Sequence, residues 1–341
     1  MTGAPALFAH ALRLHRLTPD APLPDDGNPL PDEDDHRRRP RPTRDRRLRG
    51  VAAAEVINQH FATDAPPAAL AAAVRDVYVP IHRDDHLTAA ALRADPRRAR
   101  DTGRWLVRHG TDRGAVLVGL TLLDTGPAAG DIPLIQTIGL LSEVFGPLAA
   151  SALRRRPGGE QALLWLVRRV AGWGRVYVVA ALCAVGGSAS RHWLLRHGCD
   201  GDVLNGYYAG TVAMATDLHE AIAGAGVDDA VVDHAGQVLK VMAGCEGMGM
   251  TLATYPHATE ALAAHVGHLG RQEPAVHRYV AAALIAYGLV ESRDAVVSRY
   301  VAVLDRQDWR ATARGRLTPY AGFDAWFRAT VAPRLGLSLA E

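Results

Sequence analysis

The sequence predicts an all-α fold, a solenoid of stacked helix pairs that occupies residues 51–341. Three observations carry this prediction. The motif Trp105–Asp112 (WLVRHGTD) recurs as Trp193–Asp200 (WLLRHGCD), 88 residues later. Apolar residues recur at helical spacing, whereas the alternation typical of strands is nearly absent. Glycine and proline divide the chain into helix-length segments, as helix pairs joined by short turns require.

A second internal similarity supports the repeat. Arg175–Gly186 (RVYVVAALCAVG) and His277–Gly288 (HRYVAAALIAYG) are identical at seven of twelve positions. The offset of the first motif is twice about 44 residues, within the period of HEAT and armadillo repeats. Over roughly residues 90–310 the chain therefore resembles a HEAT-like helical repeat protein. The resemblance implies a right-handed α-solenoid.

Two segments precede the predicted repeat domain. Residues 1–17 are predicted to include a short amphipathic helix whose apolar side holds Leu7, Phe8 and Leu12. Residues 18–50 are rich in proline and carry eight acidic and eight basic side chains. Such a segment has too few apolar side chains to offset the entropy lost on ordering, so we expect residues 18–50 to be disordered.

The first predicted repeat helices have clear ends. Asp95 followed by Pro96 is typical of a helix start, because the aspartate caps free N–H groups and proline suits the first helical position. Gly110 can adopt the left-handed turn that ends this helix. The next helices are predicted from Ala115 to Leu123 and from Asp131 onwards. Gly-Pro and Pro-Gly-Gly turns then separate the following pair.

The later helices follow the same pattern of apolar faces and glycine turns. Leu163, Leu166 and Val170 lie at helical spacing. Glycines at 172 and 174 and at 186 and 187 border the helix from Arg175 to Val185. A long helix is predicted from Asp200 towards Ala223. The remaining predicted helices cover residues 228–243, 258–270, 275–289 and 292–306.

Composition limits the classes of function. The net charge of +2 is too small to indicate a nucleic-acid surface by itself. Three widely spaced cysteines form no disulfide or zinc pattern, so no metal and no cofactor is predicted. No segment resembles a secretory signal or a membrane span. We therefore expect a cytoplasmic protein, and the arginine- and alanine-rich composition is typical of a high-GC bacterial genome.

A narrower resemblance rests on two short motifs. Gly172-Trp173-Gly174-Arg175, followed by a helix and then by Trp193 to Cys199, is similar to a largely uncharacterised family of bacterial helical proteins. Some members of that family are named limonene hydroxylase, which implies an oxidoreductase. A monooxygenase needs a cofactor that handles oxygen. The sequence contains no dinucleotide fingerprint, haem-thiolate signature or facial metal triad that would hold one.

The segment from Cys245 to His257 is the strongest candidate for a functional site. It interrupts the helix pairs with about fourteen residues of Gly, Met and polar type, and loops of this length are usually functional or disordered. Its apolar side chains make disorder unfavourable, so we expect it to fold onto the solenoid. Glu246 is a candidate acid or base. The candidate binding residues of this loop are Met248, Met250, Tyr255 and His257.

Other candidate residues lie near the two glycine-rich turns. Asp200 and Tyr207 are further catalytic candidates, and Asn205 and Tyr208 are binding candidates beside them. Trp173 and Arg175 are predicted to contact a partner, because an exposed Trp in a turn can anchor an interface. Each of these residues also has a structural interpretation, as a helix cap or as a residue packed between repeats.

The function that best fits these observations is binding of a partner on the concave face of the solenoid, and we expect that partner to be a protein. One alternative is an enzyme with a pocket near Glu246 and Tyr207, which would act on a small molecule. The other alternative is a nucleic-acid-binding repeat protein of the DNA glycosylase kind. It would contact phosphates through Arg154, Arg155, Arg156, Arg168 and Arg169.

Overall fold

The computed structural model describes residues 5–38, 45–292, 295–318, 320 and 322–338. Within these residues every regular element is a helix, which confirms the all-α prediction. The chain divides into two compact units, Met1–Ala189 and Ser190–Glu341. The sequence pattern had not predicted a boundary inside residues 51–341. No helix in the described residues is both long and apolar enough to cross a bilayer.

The first unit is built from eleven labelled helices and three short 3₁₀ turns among its described residues. The helices are α1 Leu7–Leu17, α2 Glu33–Arg37, α3 Val51–Phe61, α4 Pro67–Ala73, α5 Asp85–Arg93, α6 Pro96–His109, α7 Arg113–Asp124, α8 Ile132–Gly139, α9 Ser142–Arg154, α10 Gly159–Val167 and α11 Gly172–Val185. The 3₁₀ turns are Pro24–Gly27, Arg46–Leu48 and Ala129–Asp131.

The second unit continues in the same style. Helix α12 Ser188–His197 begins at the boundary, and it is followed by α13 Ala209–Ala215, α14 Leu218–Ala221, α15 Asp229–Gly244, α16 Ala258–Leu269, α17 Val276–Leu289, α18 Ala295–Leu304, α19 Gln307–Thr312, α20 Phe323–Trp326 and α21 Ala332–Arg334. The short turns are 3₁₀ at Val203–Tyr207 and Val290–Ser292, and π-helical at Phe327–Val331.

Each unit contains two rows of contacting helices. In the first unit α3, α5, α7, α9 and α11 contact one another in succession, and α4, α6, α8 and α10 form the other row. Helix α7 lies at the centre, since all of its residues are buried. In the second unit the rows are α13, α15 and α17, and α14, α16 and α18. Each row contacts the other through helices adjacent in sequence.

The helix ends follow the capping residues seen in the sequence. Asp95 accepts a hydrogen bond from the N–H of Arg98 at the start of α6, and Asp112 accepts one from Ala115 at the start of α7. Between these helices Gly110 contacts the carbonyl of Leu106 so closely that a Cβ atom would lie 2.5 Å from its oxygen. Glycine is therefore required where the chain reverses, but its φ of −61° and ψ of 128° are extended and not the left-handed conformation that the sequence predicted.

In the described part of residues 18–50 the structure differs from the predicted disorder. In its described residues, 18–38 and 45–50, Leu23 and Leu30 are each 4% exposed, so both are part of the core. Asp32 receives hydrogen bonds from Arg113, from its backbone N–H at 2.8 Å and from Nε at 3.0 Å. Disorder is therefore not confirmed there, and residues 39–44 lie outside the described residues. A few well-placed apolar and charged side chains outweigh the unfavourable composition.

The recurring Trp motif lies at the ends of α6 and α12. The ring of Trp105 packs against His109 at 5.1 Å between centroids, and Trp193 packs against His197 at 5.8 Å. Trp193 is 7% exposed, whereas Trp105 is half-buried. The two copies share the packing of Trp against His, but the Trp193 ring is more deeply buried than the Trp105 ring.

Trp193→Ala is therefore expected to lower the free energy of unfolding by about 3–5 kcal/mol, as truncation of a buried aromatic side chain does. Trp105→Ala is expected to cost clearly less, because part of that ring already contacts water. Chemical denaturation of both variants measures the difference. Equal losses would show that the two Trp residues are buried to the same extent.

Candidate functional site

The candidate loop runs from Cys245 to His257 in the second unit, between α15 and α16. Helix α15 starts at the cap Asp228 and ends at Gly244. The next residue, Cys245, is buried, and its thiol lies 3.3 Å from the carbonyl oxygen of Met250. Burial raises the pKa of this thiol, so it stays protonated and acts as an apolar packing group.

Hydrogen bonds within the loop give it a defined shape. The N–H of Met248 donates to the carbonyl of Cys245 at 3.0 Å, and the N–H of Leu252 donates back to Met242 on α15 at 3.1 Å. The N–H of Tyr255 donates to Thr251 at 2.9 Å. These backbone bonds hold the loop to itself and to the end of α15, as in ordered loops.

One side of the loop walls a cleft of about 560 Å³. Leu252 and Tyr255 come from the loop and are almost fully buried, while Glu246 is exposed. The full lining consists of Met242, Ala243, Glu246, Thr251, Leu252, Ala253, Tyr255, Pro256, Ala258, Thr259, Leu262, Gly288, Leu289 and Glu291. The lining offers polar and apolar surface in nearly equal parts, and its polar side chains are carboxylates and hydroxyls.

The other side of the loop packs against the turn and helix that follow α12. A Cβ atom at Gly206 would lie 2.8 Å from Sδ of Met248, and one at Gly210 would lie 2.4 Å from Cβ of Met250. Glycine at both positions allows the methionines to lie directly on the backbone. The methionines are half-buried, so part of each side chain remains accessible from solvent.

Gly249 lies between the two methionines, where the backbone of the loop meets the backbone of Gly206. A Cβ atom there would lie 2.4 Å from the carbonyl oxygen of Gly206. Gly249→Ala is therefore expected to lower the free energy of unfolding by about 1–3 kcal/mol, because backbone must shift to accept the methyl group. Gly244→Ala is the control, since a Cβ atom there meets nothing within 4 Å. Thermal denaturation compares them, and equal melting temperatures would contradict the close packing.

A pair of stacked histidines lies next to Tyr255. The rings of His219 and His257 are parallel, with 3.8 Å between their centroids. The ring of Tyr255 meets His257 edge-on at 5.9 Å, and burial raises the pKa of its hydroxyl. Asp217 precedes this pair in a left-handed conformation, with φ of 45°, and its carboxylate accepts from Arg191 at 2.8 Å.

The structure brings together only part of the predicted site. Glu246, Met248, Met250, Tyr255 and His257 share one loop, and Tyr207 lies beside it with 42% of its surface exposed. Buried Asn205 accepts from the N–H groups of Asp200 and Gly201 and donates to the Tyr208 hydroxyl at 2.9 Å. These contacts give Asp200, Asn205 and Tyr208 a role in shaping the turn after α12.

Trp173 and Arg175 lie in the first unit, on α11. Trp173 is 39% exposed, and its ring stacks on Tyr177 at 6.1 Å. Arg175 donates to the carbonyl of Val167 at 3.4 Å. Their described contacts are therefore with their own unit, and they are not residues of the cleft.

Sequence reasoning missed three residues of this region. His219 stacks on His257 although 38 positions separate them. Val203 and Met214 are 76% and 41% exposed. Val203 lies on the 3₁₀ turn Val203–Tyr207 and Met214 lies on α13, and no local signal in the sequence indicates that they stay exposed.

The arginines proposed for phosphate contacts are largely engaged within the first unit. Arg155 pairs with Asp124 at 3.6 Å, and Arg169 pairs with Asp20 at 2.6 Å. Arg156 is 5% exposed and donates to the carbonyl groups of Leu123 and Ala152. Arg154 and Arg168 are exposed. Among the described residues no group of three or more His, Cys, Asp or Glu side chains could hold a metal ion.

Comparison with known proteins adds no relative. No protein-family model, curated protein or solved structure matches this chain.

Proposed function

We propose that this chain is a HEAT-like helical repeat protein that binds a protein partner, and that the loop Cys245–His257 forms part of the binding surface. The observation that carries the proposal is the cleft of about 560 Å³ walled by this loop, together with the exposed Val203, Tyr207 and Met214 on the turn and helix that pack against the other side of the loop. Exposed apolar side chains near a cleft are typical of interaction sites.

The repeat character of the proposal is supported by the two rows of helices in each unit. Contacts of each helix with its neighbours and next-but-one neighbours in sequence are what the stacked pairs of a solenoid require. Such stacking produces an extended surface on which many weak contacts add. The right-handed sense and the concave position of the binding surface belong to the same proposal.

The composition of the cleft favours binding over catalysis. Its lining contains no His, Cys, Ser or Lys, and Glu291 is ion-paired with Arg334. Glu246 is exposed rather than enclosed among apolar groups. The hydroxyls of Thr251, Tyr255 and Thr259 in this lining therefore have no His or Lys of the same lining to activate them as nucleophiles. The oxidoreductase alternative gains no support from the cleft.

The test uses a photoreactive amino acid at position 207 to crosslink and identify the partner, which is then purified. Binding is measured for wild type and for the double variant Val203→Ser, Tyr207→Ser, which removes apolar surface without changing charge. We expect the partner to bind the double variant at least about tenfold more weakly, as interface anchors commonly show.

The matched control is Leu92→Ser, because Leu92 is 65% exposed in the first unit. It should leave both the affinity and the melting temperature unchanged. Equal affinity of the partner for wild type and for the double variant would refute the proposed surface.

A further inference from the structure

The second unit contains an acidic stretch that the net charge of the chain conceals. Residues 197–270 hold nine Asp and Glu and a single base, Lys240, which gives 1 − 9 = −8 within a chain of net +2. Four of these carboxylates have arginine partners. Asp217 pairs with Arg191, Asp228 with Arg196, and Asp229 and Asp233 both pair with Arg278.

The carboxylates without an arginine partner include those beside the candidate loop. Among the described ion pairs none involves Asp202, Glu246 or Glu260. Glu246 lines the cleft, and Asp202 precedes the exposed Val203. Glu260 is close enough to Tyr255 to help raise the pKa of its hydroxyl. Negative charge thus borders the proposed binding surface.

The apolar part of this surface consists of Val203, Tyr207, Met214, Met248 and Met250, which we name the apolar face. The first three are exposed by 76%, 42% and 41%, and they lie on the 3₁₀ turn Val203–Tyr207 and on α13. The two methionines adjoin them through Gly206 and Gly210. Methionine adapts its shape to varied apolar partners, as in grooves that bind helices.

We propose that the apolar face and the adjoining cleft bind an amphipathic helix whose polar side is basic. This inference rests on the proposed function and names the chemistry of the partner. One large apolar side chain of the helix enters the cleft against Leu252 and Leu262. Its neighbours at helical spacing cover the apolar face, and its Arg or Lys side chains pair with Glu246 and Asp202.

Physical arguments favour this partner over others. The described residues contain no strand, so a peptide cannot bind by adding a strand to a sheet edge. The unpaired carboxylates repel phosphates, so they disfavour nucleic acid at this surface. They also repel acidic peptides, whereas a basic helix gains attraction as it approaches.

The test uses three fluorescent peptides, each about five helical turns long. The first has leucine along one side and arginine along the other. The second has glutamate in place of every arginine, and the third has the composition of the first in scrambled order. Anisotropy titrations measure the affinity of the full chain for each. Glu246→Lys is the test variant, and Glu55→Lys is the matched control, because Glu55 is exposed in the first unit.

We expect the basic amphipathic peptide to bind most tightly, and Glu246→Lys to weaken it about tenfold or more while Glu55→Lys changes little. Equal weakening by both variants would reveal unspecific attraction and overturn the inference, as would equal binding of the scrambled peptide. Tighter binding of the acidic peptide would overturn the inference that the partner is basic, but it would not contradict the proposed binding surface. Failure of all peptides also overturns the inference, whereas the serine variants at 203 and 207 decide the proposed function separately.

Discussion

Arg113→Met is expected to lower the free energy of unfolding by about 3–5 kcal/mol, because it leaves a buried carboxylate without its cation. The side chain of Asp32 is 2% exposed and that of Arg113 is 11% exposed, with 3.0 Å between Nε and Oδ1. The same guanidinium bonds to Glu33 and holds the pKa of that carboxyl below its usual range. The substitution breaks the pairs with both Asp32 and Glu33, so the loss should be large.

Two further variants make this prediction specific. Arg37→Met breaks an exposed pair with Glu33 and should change stability by less than about 0.5 kcal/mol. Adding Asp32→Leu to Arg113→Met should recover most of the loss, because the unpaired buried charge is removed. Denaturant titrations provide the free energies. A small effect of Arg113→Met would mean that residues 18–38 are not part of the fold.

Acidification is expected to destabilise the second unit through His265. This imidazole is fully buried, and burial lowers its pKa from 6.5 to about 4, while the nearby Asp233 opposes the shift and His268 adds to it. Its Nδ1 lies 2.8 Å from the Tyr300 hydroxyl. Below pH 6.5 the unfolded chain binds a proton that the folded chain refuses, so stability falls as the pH decreases towards 4. The loss from this residue is roughly 3 kcal/mol.

The measurement compares wild type with His265→Gln between pH 7 and pH 4. The other titrating groups are shared by both proteins, so their contributions cancel in the difference. Glutamine cannot titrate, and its amide can still bond to Tyr300. The advantage of wild type over the variant should shrink as the pH falls from 6.5. A difference that is constant with pH would show that His265 has an ordinary pKa in the folded chain.

The fold class could be predicted because it depends on local pattern. Apolar periodicity and the caps Asp95 and Asp112 are local signals, and helices start at both positions. The fate of residues 18–38 could not be predicted in this way. Asp32 meets Arg113 across 81 positions, and Gly27 packs closely against the side chain of Leu141. The proportions of residue types in a segment carry no information about two such long-range contacts.

The loop of the candidate site could be predicted from local pattern, whereas the residues that contact it across space could not. The loop from Cys245 to His257 stands out because its glycines and methionines interrupt the helical pattern. Its neighbours across space do not stand out. Nothing local indicates that His219 stacks on His257, or that Gly206 lies under Met248. Exposure of Val203 and Met214 likewise depends on what the rest of the unit leaves uncovered.

The most direct test of the proposed function is amide hydrogen exchange of the full chain with and without the crosslinked and purified partner. We expect slower exchange in two separate segments at once, residues 203–214 and residues 245–257, with little change around Leu92 in the first unit. Joint protection of two segments far apart in sequence is specific to a surface that both form. Protection of other segments, with these two unchanged, would contradict the account.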